Sequence, residues 1–220
     1  MDAPSCIVCP SSSTHRLECV TDRVYWRCRC CDATFLDARH QLTIEQEKAH
    51  YDLHQNTLGD IGYRTFLNRL AEPMMRHLTP GQEGLDFGCG PGPLLALIMT
   101  EAGYPCESWD PLYRPAAELL NRRYDFITCS EVIEHLFEPA VVFGQLIDRL
   151  NPSGWLGLMT QFQTDDERFA QWHYRRDPTH VVFYRASTLS WLAQQYGCSI
   201  YFPSPNVALL QTPEARPAFD

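Results

Sequence analysis

Apolar and polar positions along the chain follow two rhythms. From Gly84 onward, short apolar runs near 84–88, 105–109, 124–129 and 154–161 predict strands. Amphipathic stretches near 92–102 and 138–150 predict helices between them. Strands alternating with helices point to an α/β fold with a doubly wound, mostly parallel sheet. A further helix near 187–196 precedes two apolar runs, 198–202 and 207–210. The intervening Pro203, Ser204, Pro205 and Asn206 predict a turn, so the last strands form an antiparallel pair.

Upstream the rhythm changes. Over 39–80 the pattern is helical: Thr43 and Gln46 predict a capping box before a helix running to about His54. Asp60 is placed to cap a second helix with Ile61, Leu67, Leu70 and Met74 on its apolar face. Pro73 is expected to bend or restart that helix. The first 38 residues hold cysteines, turn formers and short alternating stretches. The chain therefore divides into 1–38, a helical linker or lid over 39–80, the α/β domain over 81–212, and a tail, 213–220.

The 220 residues, 45% hydrophobic and 20% charged, suffice for a packed domain with a small appendage. Eighteen basic against 27 acidic residues leave a formal charge of −9, which argues against general attraction to nucleic acid or anionic lipid. No apolar run approaches the roughly 18–20 residues that span a bilayer. The opening Met1-Asp2-Ala3-Pro4 has neither the basic nor the apolar region of an export signal. The expectation is a cytoplasmic protein with no membrane partner.

Six of the ten cysteines lie in the first 31 residues. Cys6-x2-Cys9 and Cys28-x2-Cys31 are separated by eighteen residues, a spacing that suits a four-thiolate zinc site. Each tight turn aims two sulfurs at one ion, which supplies folding energy that so short a segment lacks. Cys30 competes with Cys31, and Cys19 or His15 with either pair, but only Cys31 repeats the two-residue spacing. Such a closed tetrahedron is structural rather than catalytic. The zinc ribbon it predicts resembles modules that touch nucleic acid or protein. Cys89, Cys106, Cys129 and Cys198 stand among apolar residues and are expected to be buried.

Leu85-Asp86-Phe87-Gly88-Cys89-Gly90-Pro91-Gly92 joins a strand to a helix, so its glycines permit a tight turn and close approach of a ligand. Without Gly-Lys-Ser/Thr it is not a triphosphate loop. This segment is similar to the first motif of the class I S-adenosylmethionine-dependent methyltransferases, a Rossmann-like family. The competing reading is a nicotinamide-dependent dehydrogenase with a similar loop. The resemblance continues through Tyr124–Leu136 and Leu150–Trp155, covering about 80–211. It implies that Asp86, Gly88, Gly90 and Gly92 back the cofactor. It also implies that Asp110, with Pro111 and Leu112 beside it, holds the ribose, and that Ser130 and Glu131 complete the cofactor-facing set. Only fourteen residues separate Asp110 from Asp125, too few for the family's usual helix, third strand and adenine loop. The third strand is expected to be missing or rudimentary, with Leu112 and Tyr113 the nearest apolar groups for an adenine ring.

Glu131, Glu134 and His135 are spaced i, i+3, i+4, so a helix would present them on one face at a strand's carboxyl end. Two carboxylates and an imidazole suit a divalent ion, with His180, or in competition His173, as a fourth ligand. The Glu-x-x-Glu-His segment with a later histidine resembles two methyltransferase branches: small-RNA 3′-terminal 2′-O-methyltransferases and ubiquinone-biosynthesis O-methyltransferases. The resemblance implies Mg2+ or Mn2+ holding adjacent acceptor oxygens, the ion lowering a hydroxyl pKa. Glu134 and the two histidines are then the catalytic candidates. The competing role for Glu131, Glu134 and His135 is a structural helix start. Without an ion, His180 or His135 would serve as general base.

Trp172-His173-Tyr174-Arg175-Arg176 reads either as a substrate clamp or as a solvated helix end. Tyr51, His54, Asn56, Asp60, Tyr63 and Arg64 are placed to form a lid with the ribbon. The leading expectation is O-methylation of a small or medium-sized acceptor. RNA methylation through the ribbon and a non-catalytic zinc-ribbon scaffold are the alternatives, the former disfavoured by net charge.

Overall fold

The structure, a computed structural model, describes residues 3–51 and 60–214. Strands β1 (Thr14–Arg16), β2 (Tyr25–Cys28) and β3 (Thr34–Leu36) form an antiparallel meander. Helices α1 (Ile44–Tyr51) and α2 (Ile61–Met75) follow. Next come β4 (Gly84–Phe87), α3 (Leu94–Glu101), β5 (Cys106–Trp109), β6 (Tyr124–Ser130), α4 (Pro139–Asp148) and β7 (Leu150–Met159). The short α5 (Asp166–Phe169), β8 (Val182–Phe183), α6 (Ala186–Gln195), β9 (Ser199–Ser204) and β10 (Val207–Gln211) complete the order.

Six strands form the main sheet in the order β5-β4-β6-β7-β10-β9. The pairings of β4 with β5, β4 with β6, and β6 with β7 are parallel; β10 is antiparallel to both β7 and β9. The expected α/β class and the final antiparallel pair are both present. Between β5 and β6 the chain forms an isolated bridge of Asp110 with Arg114 and a 3-10 turn, Ala117–Asn121, but no strand of the main sheet, so β5 is the sheet's edge and the third strand is missing. Fourteen residues carry the chain from β5 past β4 to β6 on its other side, a crossover with no α-helix in it.

Local chemistry explains the helix starts. Thr43 and Gln46 form the reciprocal capping box, each backbone amide donating to the other's side chain at 3.0 and 3.3 Å. Asp60 accepts from the Tyr63 amide at 3.0 Å and starts α2. Two expectations fail there. Ile61 is 81% exposed, because it stands in the first turn beyond the sheet's cover, and Ala71 joins Leu67, Leu70 and Met74 on the buried face. Pro73 does not restart the helix: it lies in the last turn, and α2 runs unbroken to Met75. The end of α1 near His54 lies outside the described residues.

The Asn151-Pro152-Ser153-Gly154 segment is a bulge inside β7 rather than a turn before it. Tyr124 pairs with Leu150 and Phe126 with Trp155, so the extra residues loop out, with Ser153 at φ 60°. Cys89 and Cys129 are buried as expected, whereas Cys106 on the sheet edge and Cys198 after α6 are half-buried.

One packed cluster contains Leu67, Leu70 and Met74 of α2 with Leu94, Met99 and Leu209. The other joins Leu146 and Leu189 of the main domain to Tyr25, Phe35 and Leu36 of the cysteine-rich segment. The two parts share a sheet as well: β3 pairs antiparallel with β8, and the four-stranded order is β1-β2-β3-β8.

Gly84 faces Phe126 across the β4–β6 pair, and a Cβ there would come within 2.1 Å of the ring. Gly84→Ala is expected to lower unfolding free energy by about 1–3 kcal/mol through overpacking, read by denaturant titration. Gly84→Ala/Phe126→Leu should recover part of that loss; an unchanged midpoint for Gly84→Ala would refute this packing account.

Candidate functional site

The carboxyl ends of the parallel strands β4, β5 and β6 lie at one edge of the main sheet, and the loops that follow them bound a candidate crevice, the usual ligand position in an open α/β sheet. Gly88 and Gly90 take φ of 77° and 61°, values that cost a side-chain-bearing residue. The Gly88 and Cys89 amides donate to the Trp109 carbonyl at 2.8 and 3.1 Å, folding the loop over β5. A Cβ on Gly88 would meet Val132 at 2.5 Å, while one on Gly90 would meet nothing within 4 Å, so open space faces Gly90. Gly92 is buried and accepts from the Leu94 amide at 2.7 Å where α3 begins.

Asp86 is 3% exposed and accepts from the Thr128 hydroxyl at 2.9 Å. It braces the loop from beneath. Asp110, 8% exposed, accepts from the Gly90 amide on Oδ2 at 2.9 Å and from the Leu112 and Tyr113 amides on Oδ1 at 2.8 and 3.0 Å. A carboxylate offers about four lone-pair positions, so one stays open on Oδ2. A grip on two vicinal hydroxyls therefore needs one amide to give way. Pro111 is exposed, Leu112 is 37% exposed and Tyr113 half-buried beside the same loop.

Ser130 ends β6 opposite Met159. Glu131 follows at φ 52°, a left-handed conformation that turns the chain sharply. The expected helix face is not formed: Ile133–His135 is a single 3-10 turn. That turn still converges with the later loop, because one ligand atom each of Glu134, His135 and His180 lies within 4.8 Å of the others. Glu131 stands outside that trio but shares a partner with it, the Tyr174 hydroxyl, which bonds Glu131 Oε2 at 3.1 Å and Glu134 Oε1. Thr160 Oγ1 lies 2.9 Å from the same hydroxyl. Tyr174 is thus a site residue that sequence reasoning left inside a clamp motif. Its signal was an apolar ring with a polar tip, which needs a partner when buried.

Burial raises the pKa of both Glu131 and Glu134, and Glu131 Oε1 and Glu134 Oε2 are buried without a hydrogen-bond partner. His135 Nδ1 lies 3.1 Å from the Thr179 carbonyl, and His180 Nδ1 lies 2.7 Å from the Tyr174 carbonyl. A carbonyl only accepts, so each Nδ1 carries the proton and each Nε2 keeps a lone pair. Burial lowers the His180 pKa and favours its neutral form. Orphaned carboxylate oxygens beside two such imidazoles have the chemistry of a metal-ligand set. His173 is exposed and takes no part.

Arg175, read in sequence as part of either a clamp or a solvated helix end, is neither. Arg175 is 6% exposed and pairs with Asp22 at 3.1 Å across the ribbon boundary, so it is structural. Of the lid group, His54 and Asn56 lie outside the described residues, while Asp60 caps α2 and Arg64 pairs with Glu101 at 2.8 Å. Tyr63 stacks on Phe66, with ring centroids 6.4 Å apart. Instead α1 touches two loops: Lys48 Nζ stands 5.9 Å over the Tyr113 ring, and His50 Nε2 lies 3.4 Å from Asp177, two residues before Thr179.

At the N-terminal cysteines all four Sγ atoms of Cys6, Cys9, Cys28 and Cys31 lie within 4.8 Å of one another. Cys6 and Cys31 are 3.7 Å apart, and Cys9 and Cys28 are 3.5 Å apart. Four Zn–S bonds of about 2.3 Å in a tetrahedron imply roughly 3.8 Å between sulfurs. The Val8 and Cys30 amides donate to the Cys6 and Cys28 sulfurs at 3.4 and 3.3 Å. Cys30 and Cys19 are exposed and His15 is half-buried outside the set.

A glycine-turn crevice with an acid one strand away, on this sheet order, defines an α/β protein of the class I methyltransferase type. A family model described as a methyltransferase domain matches residues 60–201. The chain belongs to that family of S-adenosylmethionine-dependent methyltransferases. The ubiquinone biosynthesis O-methyltransferase of Albidiferax ferrireducens is 29% identical over 121 residues, covering 43% of this chain and 48% of that protein. The match thus spans about half the length of that relative. Among solved structures, a SAM-dependent methyltransferase from Archaeoglobus fulgidus superposes with a TM-score of 0.53 at 15% identity, covering 68% of this chain and 94% of that one. The Burkholderia thailandensis 1,6-didemethyltoxoflavin-N1-methyltransferase gives 0.51 at 14% identity, with 91% and 99% coverage. Likeness at such identities shows the fold.

Gly88→Ala forces a Cβ onto Val132 and is expected to weaken S-adenosylmethionine binding by about tenfold or more, ~1.4 kcal/mol, read by calorimetry. Unaltered affinity would show that the loop does not approach the ligand closely. A second outcome concerns pH. Burial pushes Asp86 from its ordinary 3.8 up to about 7, so the folded state holds the proton more tightly than the unfolded one. The stability this contributes is full below pH 3.8 and is lost as pH rises through about 7. Asp86→Asn should flatten the fall in unfolding free energy across that interval, and a slope equal to that of the parent protein would assign it elsewhere.

Proposed function

We propose that the protein methylates oxygen on a small or medium-sized acceptor, using S-adenosylmethionine held at the Gly88–Gly90 loop and Asp110. The observation that carries the acceptor reading is the convergence of Glu134, His135 and His180 beside that crevice. When bound, the cofactor supplies an activated methyl group. The chain's own tasks are then to orient the acceptor and to manage one proton. Glu134, His135 and His180 would hold a divalent ion, with Glu131 reaching it through the shared Tyr174 hydroxyl or directly once that hydroxyl yields. A mixed imidazole and carboxylate set suits manganese or zinc better than magnesium. Such an ion gathers adjacent acceptor oxygens and eases loss of a hydroxyl proton. In the absence of an ion, His180 Nε2, whose lone pair is left free by the Nδ1 bond to the Tyr174 carbonyl, is instead the base for that proton.

Asp86 and Gly92 support the loop, Ser130 and Glu131 line the crevice floor, and Pro111 and Leu112 border it beside Asp110. Over this crevice α1 serves as a lid, hinged on its contacts to Tyr113 and Asp177. We assign structural zinc to Cys6, Cys9, Cys28 and Cys31, and retain the units 1–38, 39–80, 81–212 and 213–220 as ribbon, lid, catalytic domain and tail. The ubiquinone O-methyltransferase similarity supports a small oxygen acceptor. The formal charge of −9 favours a small acceptor over RNA. Among the described residues no helix is long and apolar enough to cross a membrane.

Glu134→Ala and His180→Ala are each expected to cut methyl transfer to a catechol panel by about 10²-fold or more while S-adenosylmethionine affinity stays within about twofold. Labelled methyl transfer and calorimetry read the two quantities. Full turnover in both variants would discard the acceptor site, and a parent protein that binds no cofactor would instead favour the scaffold.

A further inference from the structure

The ribbon does not merely sit beside the methyltransferase domain; it supplies the backbone partners of the segment that carries His180. Phe35 pairs with Val182 and Thr34 with Phe183. The Leu36 amide donates to the Val181 carbonyl at 2.8 Å, and the Val181 amide donates to the Glu134 carbonyl at 2.8 Å. Val181 therefore links a ribbon strand directly to the turn holding Glu134 and His135. The Tyr184 hydroxyl closes the arrangement by donating to the Ile133 carbonyl at 3.0 Å.

Side chains repeat the connection. Thr34 is fully buried, accepts from Arg27 Nε at 2.8 Å and donates to Gln163 Oε1 at 2.7 Å. Arg27 and Arg185 both donate to Asp166 Oδ1, at 2.6 and 2.7 Å. The Gln163 amide donates to the Tyr184 carbonyl at 2.8 Å. Tyr25 packs edge-on to Phe169 and Phe183, with centroids 5.1 and 5.9 Å away. Both flanks of the acceptor loop, about Gln163 and about Phe183, thus lean on β2 and β3.

The four strands of this sheet hold three, four, three and two residues. Strands so short have little stability of their own, so their order depends on what closes the ribbon. Cys28, in β2, and Cys31, three positions before the start of β3, are half of the thiolate set. The main sheet has its own pairings and does not need them.

We propose that the ribbon is a brace for the acceptor side of the active site: the thiolate-bound ion orders β3, β3 orders β8, and β8 sets His180 against Glu134 and His135. This rests on the zinc reading of the four cysteines. Cofactor binding, built on β4, β5 and the glycine loop, lies outside the braced segment. The positioning residues are Thr34, Phe35 and Leu36, none of which reaches the reacting atoms.

The test uses the full chain, with zinc removed by chelation under reducing conditions and then restored. Hydrogen exchange by mass spectrometry follows peptides covering 173–184 and the main-sheet strands, and calorimetry follows S-adenosylmethionine. Exchange in 173–184 is expected to rise by about tenfold or more on zinc loss and to return on reloading, as a low-stability unit released from its partner would. The β4, β6 and β10 peptides and the cofactor affinity should hold within about threefold. Thr34→Val, which keeps every cysteine, should show a smaller rise in the same peptides with zinc content unchanged. Unmoved exchange in 173–184 in a protein shown to have lost its zinc would overturn the brace alone. A rise shared equally by the main sheet would also overturn it, since the ion would then hold the whole fold. Protein that binds no zinc, and shows no thiolate charge-transfer band with cobalt, overturns the four-cysteine reading and the brace with it.

Discussion

Parallel pairing of β4 with its two neighbours is the constraint on which the crevice depends. In that register Asp86 stands level with Ser108 on β5 and Thr128 on β6. Two residues further along each strand are Gly88, Asp110 and Ser130, so the glycine turn, the acid and the approach to Glu131 leave the sheet at one edge. A slip of one residue would invert the facing of every side chain on the displaced strand. The buried bond from Thr128 to Asp86 reinforces that alignment, at the cost of a carboxyl group kept from water.

Around this edge the acidic groups differ in how far the chain itself satisfies them. Asp110 is nearly saturated by three backbone amides, and that saturation shapes the loop that follows it. Glu131 and Glu134 contrast with it: each keeps a buried oxygen without a partner, and their carboxylates meet on one tyrosine hydroxyl. Groups perturbed in this way concentrate at functional sites, because an ordinary core would pair them or replace them with apolar residues. The missing third strand leaves β5 as the edge, with Glu107 exposed and Ser108 and Trp109 half-exposed. Phe87 stacks on Trp109, with centroids 4.7 Å apart, and this aromatic pair supports the edge strand near the crevice.

The cysteine-rich segment and the α/β domain are bound together by a common core, a shared antiparallel sheet and inward-facing arginines. Arg27 is 5% exposed and its charge is met by Asp166, with Thr34 taking a second donor. Asp166 is 43% exposed on its side chain, so the cost of losing it falls on the buried Arg27, whose guanidinium would stay desolvated without its counter-charge. The ribbon is therefore committed to this interface, and the proposed brace gives that commitment a role in the active site.

Much of the architecture was legible in the chain because its signals are local. Apolar runs marked the strands, Thr43 with Gln46 and Asp60 marked helix starts, and fourteen residues after Asp110 were too few for a third strand. The two cysteine pairs and Glu134, His135 and His180 could likewise be singled out by residue type and spacing. Three features escaped because distant contacts decide them. Ile61 fits the helical stripe yet its side chain stays exposed among the described residues, and Arg175 turns inward because Asp22 awaits it more than 150 positions earlier. Tyr174 likewise became a site residue only when folding carried its hydroxyl to two carboxylates. Periodicity and capping thus determined which elements form. Long-range pairing, above all β3 with β8, decided which side chains meet, since that energy exists only once both strands are in place.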